Sequence, residues 1–283
     1  MRKYPGVLAI VFLSLGLLFS LKPRPVLTQF TVAVVHGTPF EEIAWEFPGI
    51  AEIRFFDDDG QSFRELAEGR VDAVITDRLA GLYRIKEGGY NRIQQVGGLL
   101  CQNHPAVLFN KEDVDLRRAF DQELAKMMKD GTYAKLSAEY FGRNILAGIK
   151  LPSGVSENGW STDYYRRQPG RGKRLRFAVL QGINPLRYYD PKKRARGFDL
   201  EIVKTVCQRL GFRFEAVVVE AEEAWVGLRS FQYDGILGKV PLTEEQSNSV
   251  EFSRPFYISG AQFFVVKGSP LIDPGMLKRR DGR

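Results

Sequence analysis

Three consecutive aspartates, Asp57 to Asp59, carry the side-chain chemistry of a cation site in this 283-residue chain. Carboxylates suit calcium, and Glu68 stands twelfth from Asp57, where a calcium loop has its bidentate ligand. Such a loop needs glycine at its sixth position, but Ser62 stands there. An acidic turn at a helix N-terminus explains the cluster, because carboxylates favour that end of a helix. The sequence therefore predicts no calcium site.

Other metal and redox chemistry has few residues to draw on. The chain has only two histidines, His36 and His104, and two cysteines, Cys101 and Cys207. Zinc sites need clustered cysteines and histidines, which these spacings do not offer. Cys207 falls on an apolar helical stripe and is predicted to be a small core residue rather than half of a disulfide. No cofactor, metal or catalytic constellation is predicted, and hence no enzyme.

Two segments of the chain resemble each other and indicate how it is organised. LAEGRVDAVI at 66–75 and LRSFQYDGIL at 228–237 each end a helix and lead into a strand with an Asp. This echo predicts that one α/β construction is used twice, giving two lobes. Clefts between lobes are common ligand sites.

The alternation of strands and helices predicts a sheet covered by helices in each lobe. Strands are predicted at 30–35, 53–56, 71–76, 175–180, 214–219, 233–237 and 261–266. Helices are predicted at 41–46, around 63–67, at 78–86, from 115 and again from 133 to about 141, and at 200–210, the last capped by Asp199. Residues 148–174 are rich in Gly, Pro and Arg and read as a linker.

The charge distribution argues against nucleic acid as a partner. The formal net charge is +7, but the basic residues gather in the linker and in the C-terminal run from Lys278 to Arg283. No recognition motif accompanies them, and such runs are usually solvated or lie near anionic membranes.

The N-terminus predicts export. Residues 1–28 contain Arg2 and Lys3, an uncharged run from Gly6 to Leu21, and then Lys22. This is the layout of a signal peptide, although the cleavage site is weak and an uncleaved signal-anchor stays open. The body of the chain is predicted to be periplasmic or otherwise extracytoplasmic, and at the membrane only if the segment is retained.

Several motifs together resemble one family, the bacterial extracellular solute-binding proteins of family 3, the amino-acid-binding type that serves ABC importers. Its first lobe is matched by GFDLE at 197–201, VEFSRPFY at 250–257 and VVKGS at 265–269. Its second lobe is matched by GRVDAVITD at 69–77, and its closing helices by KDGTYAKL at 129–136 and YFG at 140–142. The resemblance implies a two-lobed periplasmic-binding-protein-like fold, with a mixed sheet in each lobe and a ligand cleft between them.

The order of these motifs departs from the family and indicates a circular permutation. The second-lobe half falls at 29–110, the closing helices at 111–147, the linker at 148–174 and the first-lobe half at 175–283. The linker is long enough to join the family's original ends. A tandem pair trimmed at both ends, completed by swapping lobes in a dimer, is the alternative.

The resemblance also implies four ligand-binding positions. Asp77 occupies the place of the acidic residue that holds a ligand's α-ammonium, although it would equally suit the N-cap of the following helix. Thr38 lies in the turn that offers N–H groups to a carboxylate. Gln246 stands where the family has a carboxylate-binding Arg, and Lys239 is a candidate replacement cation or a surface lysine.

These features predict a solute-binding protein that captures a small polar, amino-acid-like solute for an ABC importer. The alternative is a degenerate, membrane-anchored sensor or interaction protein without a conventional amino-acid ligand. An enzyme is a third class, for which the chain shows no catalytic constellation.

Overall fold

The computed structural model describes residues 29–147, 174–238 and 243–272. The predicted signal segment 1–28, nearly all of the predicted linker and the basic C-terminal run lie outside these ranges.

The described chain alternates strands and helices, as its sequence pattern predicts. The strands are β1 (Phe30–Val35), β2 (Ile50–Phe56), β3 (Ala73–Asp77), β4 (Ile93–Asn103), β5 (Val107–Asn110), β6 (Arg174–Val179), β7 (Tyr188–Tyr189), β8 (Ala195–Arg196), β9 (Arg213–Val218), β10 (Gly235–Leu237), β11 (Val250–Phe252) and β12 (Ser259–Val266). The helices are α1 (Phe40–Trp45), α2 (Asp59–Ala67), α3 (Arg78–Glu87), α4 (Val114–Lys129), α5 (Thr132–Phe141), α6 (Phe198–Arg209), α7 (Ala221–Arg229) and α8 (Glu244–Ser247).

Two five-stranded mixed sheets form the two lobes, which are called lobe A and lobe B after their sheets. Sheet A has the order β2-β1-β3-β12-β4, in which the first three strands are parallel and the last two are antiparallel to their neighbours. Sheet B has the order β11-β5-β10-β6-β9, in which β10, β6 and β9 are parallel. The predicted α/β fold with two mixed sheets is confirmed.

Two segments cross between the sheets side by side. The chain leaves sheet A after β4 and enters sheet B at β5, and it returns from β11 to β12. Ser253 N–H donates to Val107 O at 2.9 Å, and Phe256 N–H donates to Pro105 O at 2.8 Å. Each predicted half of the chain therefore contributes one strand to the other half's sheet. Strand β5, from the half predicted at 29–110, lies in sheet B, and β12, from the half predicted at 175–283, lies in sheet A.

Helices pack on both faces of each sheet, because the strands bury side chains alternately on the two faces. Helix α1 covers one face of sheet A, and α2 and α3 cover the other. Helix α4 packs on β5, β11 and α6, while α5 contacts α4, α6 and α3. Helix α5 therefore touches helices of both lobes, and a single hydrophobic cluster continues from one lobe into the other.

The start of α6 differs from its prediction. Gly197, not Asp199, is the N-cap residue, and no side chain caps the helix. Asp199 lies in the first turn and is fully buried. The capping prediction was wrong because the aspartate is bound by Arg187 and Tyr257, which are distant in sequence.

Replacing Gly197 with alanine is expected to destabilise the fold strongly. Its φ is +130°, and an added Cβ would lie 2.2 Å from the carbonyl oxygen of Leu186. The clash is with backbone, so the strain should cost about 3 kcal/mol or more and lower the melting temperature by about 6 °C or more. Gly98→Ala is the matched control, since nothing lies within 4 Å of its added Cβ. Equal melting temperatures for the two variants, measured by calorimetry, would contradict this geometry.

Candidate functional site

The carboxyl ends of the parallel strands in both sheets adjoin the crossovers. In sheet A, Asp77 at the end of β3 is hydrogen-bonded to Ser259, the first residue of β12. In sheet B, Leu237 at the end of β10 pairs with Val107, the first residue of β5. Ligands of α/β sheets bind beyond the carboxyl ends of the strands. The candidate site is therefore placed at the crossovers, which both of these strand ends adjoin.

Asp77 is the central charged group of this region. Its Oδ1 accepts hydrogen bonds from Leu79 N–H at 2.8 Å and Ala80 N–H at 3.2 Å, which makes it the N-cap of α3. The Ser259 hydroxyl lies 2.9 Å from Oδ1 and 2.8 Å from Oδ2. Only 4% of Asp77 is exposed, and burial raises the pKa of its carboxyl above the ordinary value. Among the described residues, Ser259 is the only hydrogen-bond partner of Oδ2.

Arg78, the next residue in the chain, donates its hydrogen bonds to backbone carbonyl groups and not to the Asp77 carboxylate. Its Nη1 donates to Ile258 O in the crossover at 2.8 Å, and its Nη2 donates to Ile145 O at 2.9 Å. Burial lowers the pKa of the guanidinium. Arg78 thus ties α3 to the crossover and to the segment after α5, while the Asp77 carboxylate faces hydrogen-bond donors.

The turn containing Thr38 is occupied by the protein itself. The Thr38 hydroxyl donates to Val35 O at 2.7 Å. The Gly37 N–H donates to the carboxylate of Glu41, which also lies 3.2 Å from Nδ1 of His36. A carboxylate of the chain therefore already takes the N–H that the resemblance assigns to a ligand.

Gln246 and Lys239 are the two ligand-binding positions predicted in lobe B, and only Gln246 lies among the described residues. Gln246 forms a capping box at the start of α8: its Oε1 accepts from Thr243 N–H at 2.9 Å, and its own N–H donates to the Thr243 hydroxyl at 3.2 Å. The structure does not bring Gln246 into contact with Asp77. Lys239 lies outside the described residues.

A second buried cluster, which sequence reasoning missed, links the return crossover to lobe B. The Asp199 carboxylate forms an ion pair with Arg187 and accepts a hydrogen bond of 2.7 Å from the Tyr257 hydroxyl. Burial raises the pKa of Asp199, and it raises that of Tyr257 as well. Arg187 Nε is also buried and makes no hydrogen bond among the described residues. No local pattern marks this cluster, because its members come from three separate segments.

The acidic cluster at 57–59 lies at the start of helix α2. Asp58 caps α2 by accepting from Gln61 N–H at 3.0 Å, so the acidic cluster begins a helix as predicted. Among the described residues, no group of three or more His, Cys, Asp or Glu side chains could hold a metal ion. Cys101 lies on β4 and Cys207 is buried in α6, and neither forms a disulfide. In the same ranges no helix has both the length and the apolar character to cross a membrane.

Known proteins similar to this chain bind solutes. It is 32% identical over 114 residues to the L-cystine-binding protein TcyJ of Escherichia coli K12, covering 40% of this chain and 42% of that protein. It is 29% identical over 126 residues to the histidine-binding periplasmic protein of Salmonella typhimurium, covering 41% and 48%. The chain thus spans less than half the length of the curated relatives it matches.

One solved structure aligns with more of the chain, but at low sequence identity. A phosphate-binding protein of an ABC transporter from Streptococcus pneumoniae aligns with 85% of this chain and 89% of its own, at 7% identity and a TM-score of 0.42. The family comparison is more extensive, because the model for bacterial extracellular solute-binding proteins, family 3, matches residues 27–143 and 175–281. These matches cover most of the sequence, and the chain belongs to the family 3 bacterial extracellular solute-binding proteins.

Proposed function

We propose that this protein is an extracytoplasmic solute-binding protein that captures a small polar, amino-acid-like solute between its lobes and delivers it to an ABC importer. Family membership and the names of the relatives, which include a periplasmic histidine-binding protein, support this proposal. The family is named for binding rather than catalysis, so the proposed role is not enzymatic.

The observation that carries the proposal is the position of Asp77. Its carboxylate lies beside the crossovers and ends the central strand β3 of sheet A. Oδ1 accepts from the α3 N-terminus, whereas Oδ2 has Ser259 as its one hydrogen-bond partner among the described residues. A buried carboxylate is a strong acceptor for an ammonium group, because charge-assisted hydrogen bonds are about twice as strong as neutral ones.

The described groups favour a cation over a carboxylate as the part of the solute that is recognised. Gly37 N–H is engaged by Glu41, the Thr38 hydroxyl by Val35, and the amide oxygen of Gln246 by its own helix N-terminus. An amine therefore has a charged partner at Asp77, whereas Gly37, Thr38 and Gln246 offer a ligand carboxylate no charged partner. Lys239 stays a candidate for that role.

A thermal-shift screen against amino acids, amines, small carboxylates and sugars tests the proposal. A solute present at a hundredfold its dissociation constant should stabilise the protein by about 2.7 kcal/mol and raise the melting temperature by several degrees. We expect hits among compounds that carry an amine. If a folded, monodisperse sample responds to no compound, the degenerate sensor without a conventional ligand becomes the better account.

Binding of an amine is expected to weaken as the pH is lowered. The ammonium needs an ionised Asp77, and burial raises the pKa of that carboxyl above 3.8. As pH falls through this raised pKa, Asp77 takes up a proton and the affinity decreases, at a higher pH than for an exposed aspartate. Calorimetric titration of the screen's best amine from about pH 8 to about pH 4 would measure this. An affinity that stays constant over the range would contradict the role of Asp77.

We also propose that the chain is a circularly permuted monomer, with a second-lobe half at 29–110, closing helices at 111–147 and a first-lobe half at 175–283. The two family matches flank the linker, and β12 fits between β3 and β4 of sheet A within one chain. Light scattering over a dilution series should give the mass of one chain, 32.1 kDa if the N-terminal segment is kept. A stable mass of two chains would favour lobe swapping instead.

A further inference from the structure

We propose that Ser259 is the positioning residue of the cation site: its hydroxyl, held on the return crossover, orients the Asp77 carboxylate toward a bound amine. This inference rests on the proposed function and adds to it a residue outside the four predicted ligand positions. Ser259 itself would not touch the solute, because it is fully buried.

The contact between the two side chains is short and specific. The Ser259 hydroxyl lies 2.8 Å from Oδ2 and 2.9 Å from Oδ1 of Asp77, across 182 residues of sequence. The helix α3 N–H groups hold Oδ1 alone. These N–H groups restrain the carboxylate through Oδ1, and Ser259 is the described group that adds a restraint at Oδ2.

The backbone around Ser259 is fixed from several sides. The Tyr257 hydroxyl is bonded to Asp199 in lobe B, and Ile258 O accepts from Arg78 in lobe A. On the other side, Gly260 has a φ of +155°, and a Cβ there would lie 2.6 Å from the carbonyl oxygen of Leu100 on β4. This glycine allows the close approach of β4 to β12. On the opposite edge of β12, Ala261 pairs with Asp77 of β3, and this register brings Ser259, two residues earlier, beside the end of β3.

Removal of the hydroxyl should have two consequences for Asp77. The carboxylate would lose its only described partner at Oδ2 and would be restrained through Oδ1 alone, so its direction would be less firmly held. It would also lose a hydrogen bond that favours its charged form. Because an ammonium ligand needs both the charge and its direction, affinity should fall even though no group that touches the solute has been removed.

The test compares Ser259→Ala with Ser259→Thr, which keeps the hydroxyl, and with Ser253→Ala. Ser253 is the matched control, since it is also buried on the return crossover but bonds Val107 N–H and Arg254 O instead of Asp77. The first measurement is the pH midpoint at which Asp77 titrates, monitored through the carbon-13 chemical shift of its carboxyl group in the full-length protein. The second is the affinity for the best amine of the screen.

Ser259→Ala should raise the Asp77 midpoint by about one pH unit and weaken amine binding about tenfold, as expected for a hydrogen bond to a charged group. Ser259→Thr should restore both values, and Ser253→Ala should leave both unchanged. The inference is overturned if Ser259→Ala matches the wild type or if Ser253→Ala gives the same shift. Should the alanine variant fail to fold, Ser259→Cys, with its weaker donor, should give a smaller shift in the same direction.

The two measurements separate this inference from the proposed function. If no compound of the panel binds the wild type, the proposed function fails, while the Asp77 titration still decides whether Ser259 controls that carboxylate. If the wild type binds an amine and Ser259→Ala binds it equally well, the inference fails and the proposed function stands.

Discussion

The Asp77→Asn variant is expected to lose its affinity for an amine solute by about a hundredfold or more. Truncating or neutralising one partner of a buried, hydrogen-bonded charge pair typically costs several kcal/mol of binding free energy. Asparagine keeps an acceptor for Leu79 N–H and Ala80 N–H, and it caps helices about as well as aspartate does. The melting temperature should therefore stay within a few degrees of wild type.

Asp77→Ala is the comparison that shows why asparagine is the informative choice. Alanine would leave two N–H donors and the Ser259 hydroxyl without their acceptor, and buried groups without partners are costly. This variant should lose both binding and stability, which calorimetry can separate from the loss of binding alone in Asp77→Asn. Wild-type affinity in Asp77→Asn would remove Asp77 from the site and leave it as a helix cap only.

Asp199→Ala is expected to destabilise the protein by about 3 to 5 kcal/mol. The carboxylate is fully buried and bound to Arg187 and to the Tyr257 hydroxyl. Breaking a buried ion pair is strongly destabilising, because the remaining charge has no partner. For a chain of this size the melting temperature should fall by about 10 °C, measured by calorimetry or circular dichroism.

Two further variants make the Asp199 prediction sharper. Glu52→Ala removes an exposed carboxylate that pairs with Arg54 at the surface, and it should leave the melting temperature close to wild type. Adding Arg187→Met to Asp199→Ala removes the unpartnered charge, so the double variant should be less destabilised than the sum of the single variants. Strict additivity would show that the two residues are not energetically coupled.

The sequence pattern predicted the regular α/β core well. The strand predicted at 30–35 is β1, and the strand predicted at 175–180 differs from β6 by one residue at each end. These segments are apolar runs bounded by turn residues, so their burial decides their conformation locally. The helix predicted at 200–210 also formed, although Asp199 did not cap it.

Strand β4 was not predicted, and its geometry explains why. It runs from Ile93 to Asn103, but its side chains are mostly exposed or half-buried and do not alternate regularly. Its pairing with β12 is irregular, and Gly97 and Cys101 have positive φ values there. Bulges shift the inward face along the strand and remove the two-residue period that sequence analysis depends on.

The site was predictable only in part, because its contacts are distant in sequence. Asp77 could be singled out through the family resemblance, which implies an acidic ligand-binding residue at the end of this strand. Its partner Ser259 is 182 residues away and shows no local pattern, and the same holds for the pair of Arg187 with Asp199. The sequence also does not show that the Glu41 carboxylate accepts from Gly37 N–H in the Thr38 turn, because a glutamate at this position can equally extend into solvent.

The most direct test of the central claim, that the cleft recognises a solute through its amine at Asp77, is a pair of calorimetric titrations. One uses the best amine from the screen, and the other uses the same compound with its amine replaced by hydrogen. We expect the amine to bind about a hundredfold more tightly or better, with one site per chain. Equal affinities would contradict the claim and show that the protein recognises another part of its ligand.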